Sequence, residues 1–230
     1  MEFLADKDAL ARIQARSDTN DDGTLSPWGI FALATEDPLL VRLDRLCRTL
    51  HALNYFSAAP ERRILFLTVQ PRLLESVKDG HGRAFEKVLD LIGVETSRVV
   101  IEIPVEVNHN WQLLKHVVVN YRSKGYRIAL NHGGENEGWT ANPGSLPPEF
   151  VRLQAGQLQT SPEMTALVDT IHRFGAKLLV GDVETEQEMV AAVRAGADLL
   201  QGSFLGGPVP AIESISRRAQ EQCNHPGYAW

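Results

Sequence analysis

Near the start of the chain, Asp18, Asn20 and Asp22, followed by Gly23, have the spacing of the first half of an EF-hand calcium loop. Such a loop closes its oxygen cage with a bidentate carboxylate at its twelfth position. That position is Gly29, and no helix pattern precedes the segment, so it reads as a polar turn. Further along, Glu102 and Arg152 each interrupt an apolar run, and His132 stands at the edge of a glycine-rich segment. His132 with Asp8 and Glu102 has the chemistry of a transition-metal site. The same residues with Arg152 would suit a small metabolic barrel enzyme if a fold gathered them. The plainer reading of His132 is a loop histidine, and no metal is expected. Cys47 lies in a helical pattern and Cys223 in a polar tail, which makes neither a disulfide framework nor a zinc site. There is no glycine-rich phosphate loop of either standard type.

The elements that must position these residues repeat a simple unit, a short apolar run followed by an amphipathic stretch. The runs are Ile64–Val69, Val99–Ile103, Tyr126–Leu130, Phe150–Leu153, Lys177–Val180 and Ala197–Leu200. Several are continuously apolar, as strands buried on both faces are. Between them, helical stripes are expected at Leu39, Leu43, Leu46, Cys47 and Leu50; at Phe85, Val88, Leu89 and Ile92; at Leu114, Val117, Val118 and Tyr121; at Leu167, Val168, Ile171 and Phe174; and at Met189, Val190 and Val193. All five are assigned to the core. Arg122–Gly125, Arg173–Gly175 and Arg194–Gly196 each put a cation in a last helical turn and a glycine just after it. Thr185 with Glu188 makes a capping box, and Ser161 before Pro162 marks another helix start. Strand–helix alternation of this kind means an α/β fold with a parallel sheet. Periodicity alone does not separate a closed barrel from a doubly wound sheet. The longest irregular stretch, 131–148, would lie at the strand C-terminal ends, where barrels carry their sites.

The 230 residues suit one domain, 1–230, with 43 % hydrophobic and 23 % charged residues. A net charge of −6 without a basic run offers no footprint for nucleic acid. The start has no secretory pattern, and no run of about 18 apolar residues is present to span a membrane. A reducing cytoplasm is the expected location.

Seven segments, in order, resemble the EAL domain, the fold of bacterial cyclic di-GMP phosphodiesterases. They are Asp8-Ala9-Leu10-Ala11-Arg12-Ile13 for the Glu-Ala-Leu signature, then Leu65–Leu74, Val100–Val105, Gly125–Gly134, Val151–Gln154, Val180–Gln187 and Gly196–Pro208. The Val183-Glu184-Thr185 and Gln201-Gly202 pair is the most specific. The resemblance covers 8–210, leaving 211–230 as a C-terminal helix and tail. It implies a (β/α) TIM-like barrel of the EAL type with its site at the strand C-terminal ends. Only Met1–Lys7 precede the signature, so the first strand is expected to be short or missing.

The resemblance also implies two divalent ions held by carboxylates, which activate water and clamp the phosphate. Several of those positions differ here. Asp8 replaces the signature glutamate, Thr68 an asparagine, Asn131 and His132 two aspartates, Arg152 a lysine, Gln154 an aspartate and Gly181 the catalytic glutamate, with Asp182 adjacent. Val105 stands at a further acidic position, and period-two alternation would turn the adjacent Glu106 to the opposite face. Glu102, Glu184 and Gln201 are kept. Neutral Asn131 and His132 do not offset a pair of cations, and arginine is no general base. Magnesium or manganese binding is therefore expected to be lost.

The expected function is a catalytically inactive, regulatory EAL-like module acting through contacts with an unknown protein partner. Trp139 and Trp230 are candidate contacts. The alternative is a receptor that binds cyclic di-GMP uncut, with Arg12, Gln201 and Pro208 at ligand-contact positions. An active phosphodiesterase using Asp8, Glu102, Asp182 and Glu184 ranks third. A homodimer is compatible with the resemblance.

Overall fold

In the computed structural model, Glu2–Phe3 and residues 36–57, 63–77, 80–133, 146–158 and 161–206 are described. The calcium-like loop at Asp18–Gly23, the residues Asp8, Arg12, Trp139, Pro208, Cys223 and Trp230, and the expected C-terminal helix lie outside them.

The strands are β1 (Glu2–Phe3), β2 (Leu65–Thr68), β3 (Val99–Ile103), β4 (Arg127–Asn131), β5 (Phe150–Gln154), β6 (Lys177–Gly181) and β7 (Leu199–Leu200). Each of the six apolar runs thus contains a strand, with ends shifted by a residue or two. The helices are α1 (Asp37–Phe56), α2 (Pro71–Ser76), α3 (Arg83–Leu91), α4 (Val105–Asn108), α5 (Trp111–Arg122), α6 (Pro162–Arg173) and α7 (Glu186–Arg194). All six strand pairings are parallel, in the order β1-β7-β6-β5-β4-β3-β2. A doubly wound sheet reverses its order partway. Here the order never reverses, and β1 adds beyond β7, as in a barrel. The first strand is present and short.

The two faces of the sheet explain the continuous apolar runs. One alternating set, including Leu67, Ile101, Ile103, Ile128, Leu130, Val151, Leu153, Leu178 and Val180, packs against the helices in the main core. The other set, Phe66, Val100, Ala129, Phe150, Leu179 and Leu199, forms a second cluster on the opposite, inner face. Phe66 on β2 and Phe150 on β5 meet with ring centroids 5.0 Å apart. In a flat sheet, three strand spacings would hold them about 14 Å apart. The sheet therefore curls around this inner cluster.

The helix boundaries follow the expected chemistry. Ser161 accepts a hydrogen bond from the Met164 amide with Pro162 in the first turn, and Thr185 and Glu188 form the reciprocal capping box. Gly125, Gly175 and Gly196 take positive φ after their helices, a conformation that glycine adopts without a Cβ penalty.

Two expected stripes need correction. On α1 the buried residues are Leu40, Asp44, Arg48 and Ala52. Leu39, Leu46 and Leu50 are 52 %, 55 % and 48 % exposed. The helix turns a polar pair inward, and Arg48 and Asp44 form an ion pair one turn apart. On α7 the fully buried residue is Ala192, Val193 is exposed, and Met189 and Val190 are half-buried. The stripes on α3, α5 and α6 are buried or half-buried as expected.

This assignment is testable by urea unfolding. Leu89→Ala, at a fully buried site, should cost about 2–5 kcal/mol. Leu46→Ala, on the open face of α1, should change stability by about 0.5 kcal/mol or less.

Candidate functional site

Beyond the inner apolar cluster, the same alternation carries the next residues of each strand toward the C-terminal ends. Two residues after Phe66, Val100, Ala129, Phe150, Leu179 and Leu199 come Thr68, Glu102, Asn131, Arg152, Gly181 and Gln201. Six of the sequence-selected positions therefore share one face, one layer above an apolar floor.

Arg152 and Glu102 are the buried charged members of this layer, at 3 % and 2 % exposure. Arg152 Nη1 donates to Gln201 Oε1 at 2.6 Å and to Glu102 Oε1 at 3.3 Å. Thr68 Oγ1 donates to the other carboxylate oxygen, Oε2, at 2.5 Å. Arg152 Nη2 makes no hydrogen bond and lies 3.8 Å from Asp182 Oδ1. β5 thus reaches β3 and the end of β7, each two strands away, through one side chain, which the curl of the sheet makes possible.

Gly181 is what admits this guanidinium. A Cβ at that position would stand 2.0 Å from Arg152 Nη2 and 2.5 Å from its Cζ. Any side chain at 181 and the observed pose of Arg152 exclude one another. The next residue, Asp182, has φ 58°, a left-handed conformation that aspartate tolerates better than most. Its exposed carboxylate faces the buried cation from the rim. Gly202 makes a second forced approach, because a Cβ there would lie 2.0 Å from Val183 O. The Val183 amide donates to Gln201 O at 3.0 Å, so the two most specific sequence segments are in backbone contact.

Other selected residues take no part in this side-chain network. Asn131 is paired with Arg152 in the sheet, but its Oδ1 is buried without a hydrogen bond. His132 is half-buried just beyond β4, and its amide donates to Arg152 O at 2.8 Å. Gln154 is exposed at the end of β5. Glu184 is exposed as well, its amide capped by Glu188 Oε2 at 2.7 Å. Glu106 is not at a strand position, which corrects the alternation argument. β3 ends at Ile103, Pro104 follows, and Val105–Asn108 is a short helix with Glu106 exposed. Pro104 was the available signal, since proline lacks the amide that a central strand donates. The sequence reading also missed Asn108, which is fully buried and donates from Nδ2 to Asn131 O at 2.5 Å. Among the described residues, no three of His, Cys, Asp and Glu come together as a metal ligand set. No described helix is long and apolar enough to cross a membrane.

A parallel α/β barrel with a polar layer at its strand C-terminal ends is the class that this fold and layer define. The family model for the EAL domain matches residues 5–208, and the chain belongs to that family. It is 27 % identical over 215 residues to an uncharacterised EAL-domain containing protein, YkuI, of Bacillus subtilis (strain 168), a match covering 87 % of this chain and 50 % of YkuI. The chain thus spans about half the length of that relative. Among solved structures, YkuI in complex with cyclic di-GMP and calcium matches with a TM-score of 0.65 at 22 % identity, over 86 % of this chain and 53 % of that one. The EAL domain of Xanthomonas citri FimX in complex with cyclic di-GMP matches with a TM-score of 0.67 at 18 % identity, over 83 % and 79 %. At these identities the structural likeness is one of fold.

Gly181→Ala should destabilise the protein by about 1–3 kcal/mol through overpacking against the guanidinium. Combining it with Arg152→Lys, whose thinner side chain can withdraw, should cost less than the sum of the two single changes. A double-mutant cycle on unfolding free energies measures that coupling.

Proposed function

We propose that this chain is a catalytically inactive EAL domain that regulates through contact with another protein. The observation that carries this reading is the Arg152 guanidinium, buried in the space that a side chain at residue 181 would need. By the family resemblance, Gly181 stands at the position of the catalytic glutamate. Hydrolysis of a phosphodiester by two metal ions needs a cluster of carboxylates that remains negative. Here Glu102 is already paired with a fixed cation and a threonine hydroxyl. Arginine does not deprotonate, so its charge repels incoming magnesium or manganese at short range. Asn131 adds no negative charge. The residues present do not fit the metal pair, and no hydrolytic step is derived through it. For the contact itself, α1 offers an exposed apolar face in Leu39, Leu46, Leu50 and Leu53, the kind of surface that a partner helix covers.

A second reading, a receptor that binds cyclic di-GMP without cleaving it, is favoured by the solved YkuI and FimX complexes with that nucleotide. The polar rim of Thr68, Gln154 and Gln201 is open enough to meet a ligand.

Calorimetric titration with cyclic di-GMP in magnesium or manganese, followed by nucleotide analysis, separates these readings. We expect no linear product above the uncatalysed background. Binding of intact nucleotide would move the receptor reading to the front, and linear product would overturn both.

A further inference from the structure

The leucines that α1 turns away from the core have an order of their own. Leu39, Leu43, Leu46, Leu50 and Leu53 are spaced by 4, 3, 4 and 3 residues. That is the step of the a and d positions of a coiled-coil seam, which keeps successive knobs in line along a helix. Leu43 is half-buried and the other four are exposed. The packed side of α1 takes a different step, four residues each time, through Leu40, Asp44, Arg48 and Ala52. At about 100° per residue the two stripes lie on nearly opposite sides of the helix.

A seam of leucines at both a and d is covered by a helix with the same step. Among the described helices, α1 alone presents such a seam to solvent; the other exposed large apolar residues, Leu91, Val119, Val193 and Phe204, stand singly. The seam is therefore its own best complement. Because it lies opposite the packed side, two copies can bring α1 against α1 with their described bodies pointing apart. The four exposed leucines leave about 350 Å² of apolar surface open, the size of a functional patch. A pair covers about twice that, and the side chains at the seam's edges bring the total toward the roughly 1,000 Å² of a specific interface.

Charge selects the direction of pairing. Arg42 and Thr49 edge the seam on one side, Cys47 and Asn54 on the other. Parallel pairing sets the two Arg42 side chains at one level. Antiparallel pairing that stacks Leu43 on the partner's Leu53 and Leu46 on the partner's Leu50 moves them apart by 12 residues, about 18 Å, beyond the reach of unscreened repulsion. We propose that α1 pairs with α1 of a second copy in this antiparallel, two-fold arrangement, as a weak dimer of micromolar affinity. The proposal goes beyond the inactive reading of the Arg152 layer and does not rest on it.

Sedimentation equilibrium of the full chain, from micromolar to millimolar concentration, is the test. The expected result is a monomer–dimer equilibrium. Leu46→Glu with Leu50→Glu sets like charges face to face in the pair and should weaken association by about a hundredfold or more. Both leucines are exposed in the monomer, so circular dichroism and thermal unfolding of that variant should match the parent. Direction is read by crosslinking in a Cys47→Ser, Cys223→Ser background. A mixture of Leu46→Cys and Leu50→Cys proteins should form the mixed disulfide in preference to either self-pair, because those positions face each other across the seam. A chain that stays monomeric at millimolar concentration, a dimer that persists in the glutamate variant, or a preference for the self-pairs would overturn the proposal.

Discussion

A guanidinium taken out of water loses several kcal/mol of hydration, and a protein recovers this only with well-placed partners. Arg152 is buried where six strands point their side chains inward, so its partners must come from across the sheet. Glu102 from β3, Gln201 from beyond β7 and Asp182 from beyond β6 supply them. The arrangement depends on curvature, because a flat sheet would keep β3, β5 and β7 too far apart. It depends equally on the missing side chain at Gly181. The apolar floor below, from Phe66 to Leu199, keeps water from the lower side of the pair and strengthens the attraction within it.

That pairing links the fold to the chemistry proposed for it. A barrel of this family gathers polar residues at its strand ends whether or not they form a working catalyst. In this chain the charge that a metal pair would bring is partly supplied by the protein. The carboxylate of Glu102 is kept, but it is spent on an internal ion pair. What remains accessible is a polar rim above a neutralised layer, and binding needs less of a site than hydrolysis does.

The helical layer shows the same economy of charge at Asp44 and Arg48. One ion pair lets α1 bury a polar side against α3 and α5, with Arg48 also lying over the Phe85 ring at 5.5 Å. The leucines of α1 are consequently displaced to the outside. Placing polar groups inward and apolar groups outward on one helix is costly for an isolated domain, and it gives this helix a surface suited to contact.

Strand and helix order, the glycine stops, the Ser161 and Thr185 caps and the positions of Thr68, Glu102, Asn131, Arg152, Gly181 and Gln201 were legible in the sequence. Each of these rests on local periodicity, on capping chemistry or on segments close to a family pattern. Pro104 was legible too, and attention to it would have ended β3 before Glu106. The inward face of α1 was not legible, because its leucine spacing and its Asp44–Arg48 spacing are both helical, and only the neighbours of the helix choose between them. The exclusion between Arg152 and any side chain at 181 was not legible either. Those residues are 29 positions apart in the chain, and their contact exists only because β5 and β6 pair in register on a curved inner face. Sequence determined which groups each strand would carry to the layer. Tertiary structure decided which of them would neutralise one another, because that depends on distances across strands that no local pattern encodes.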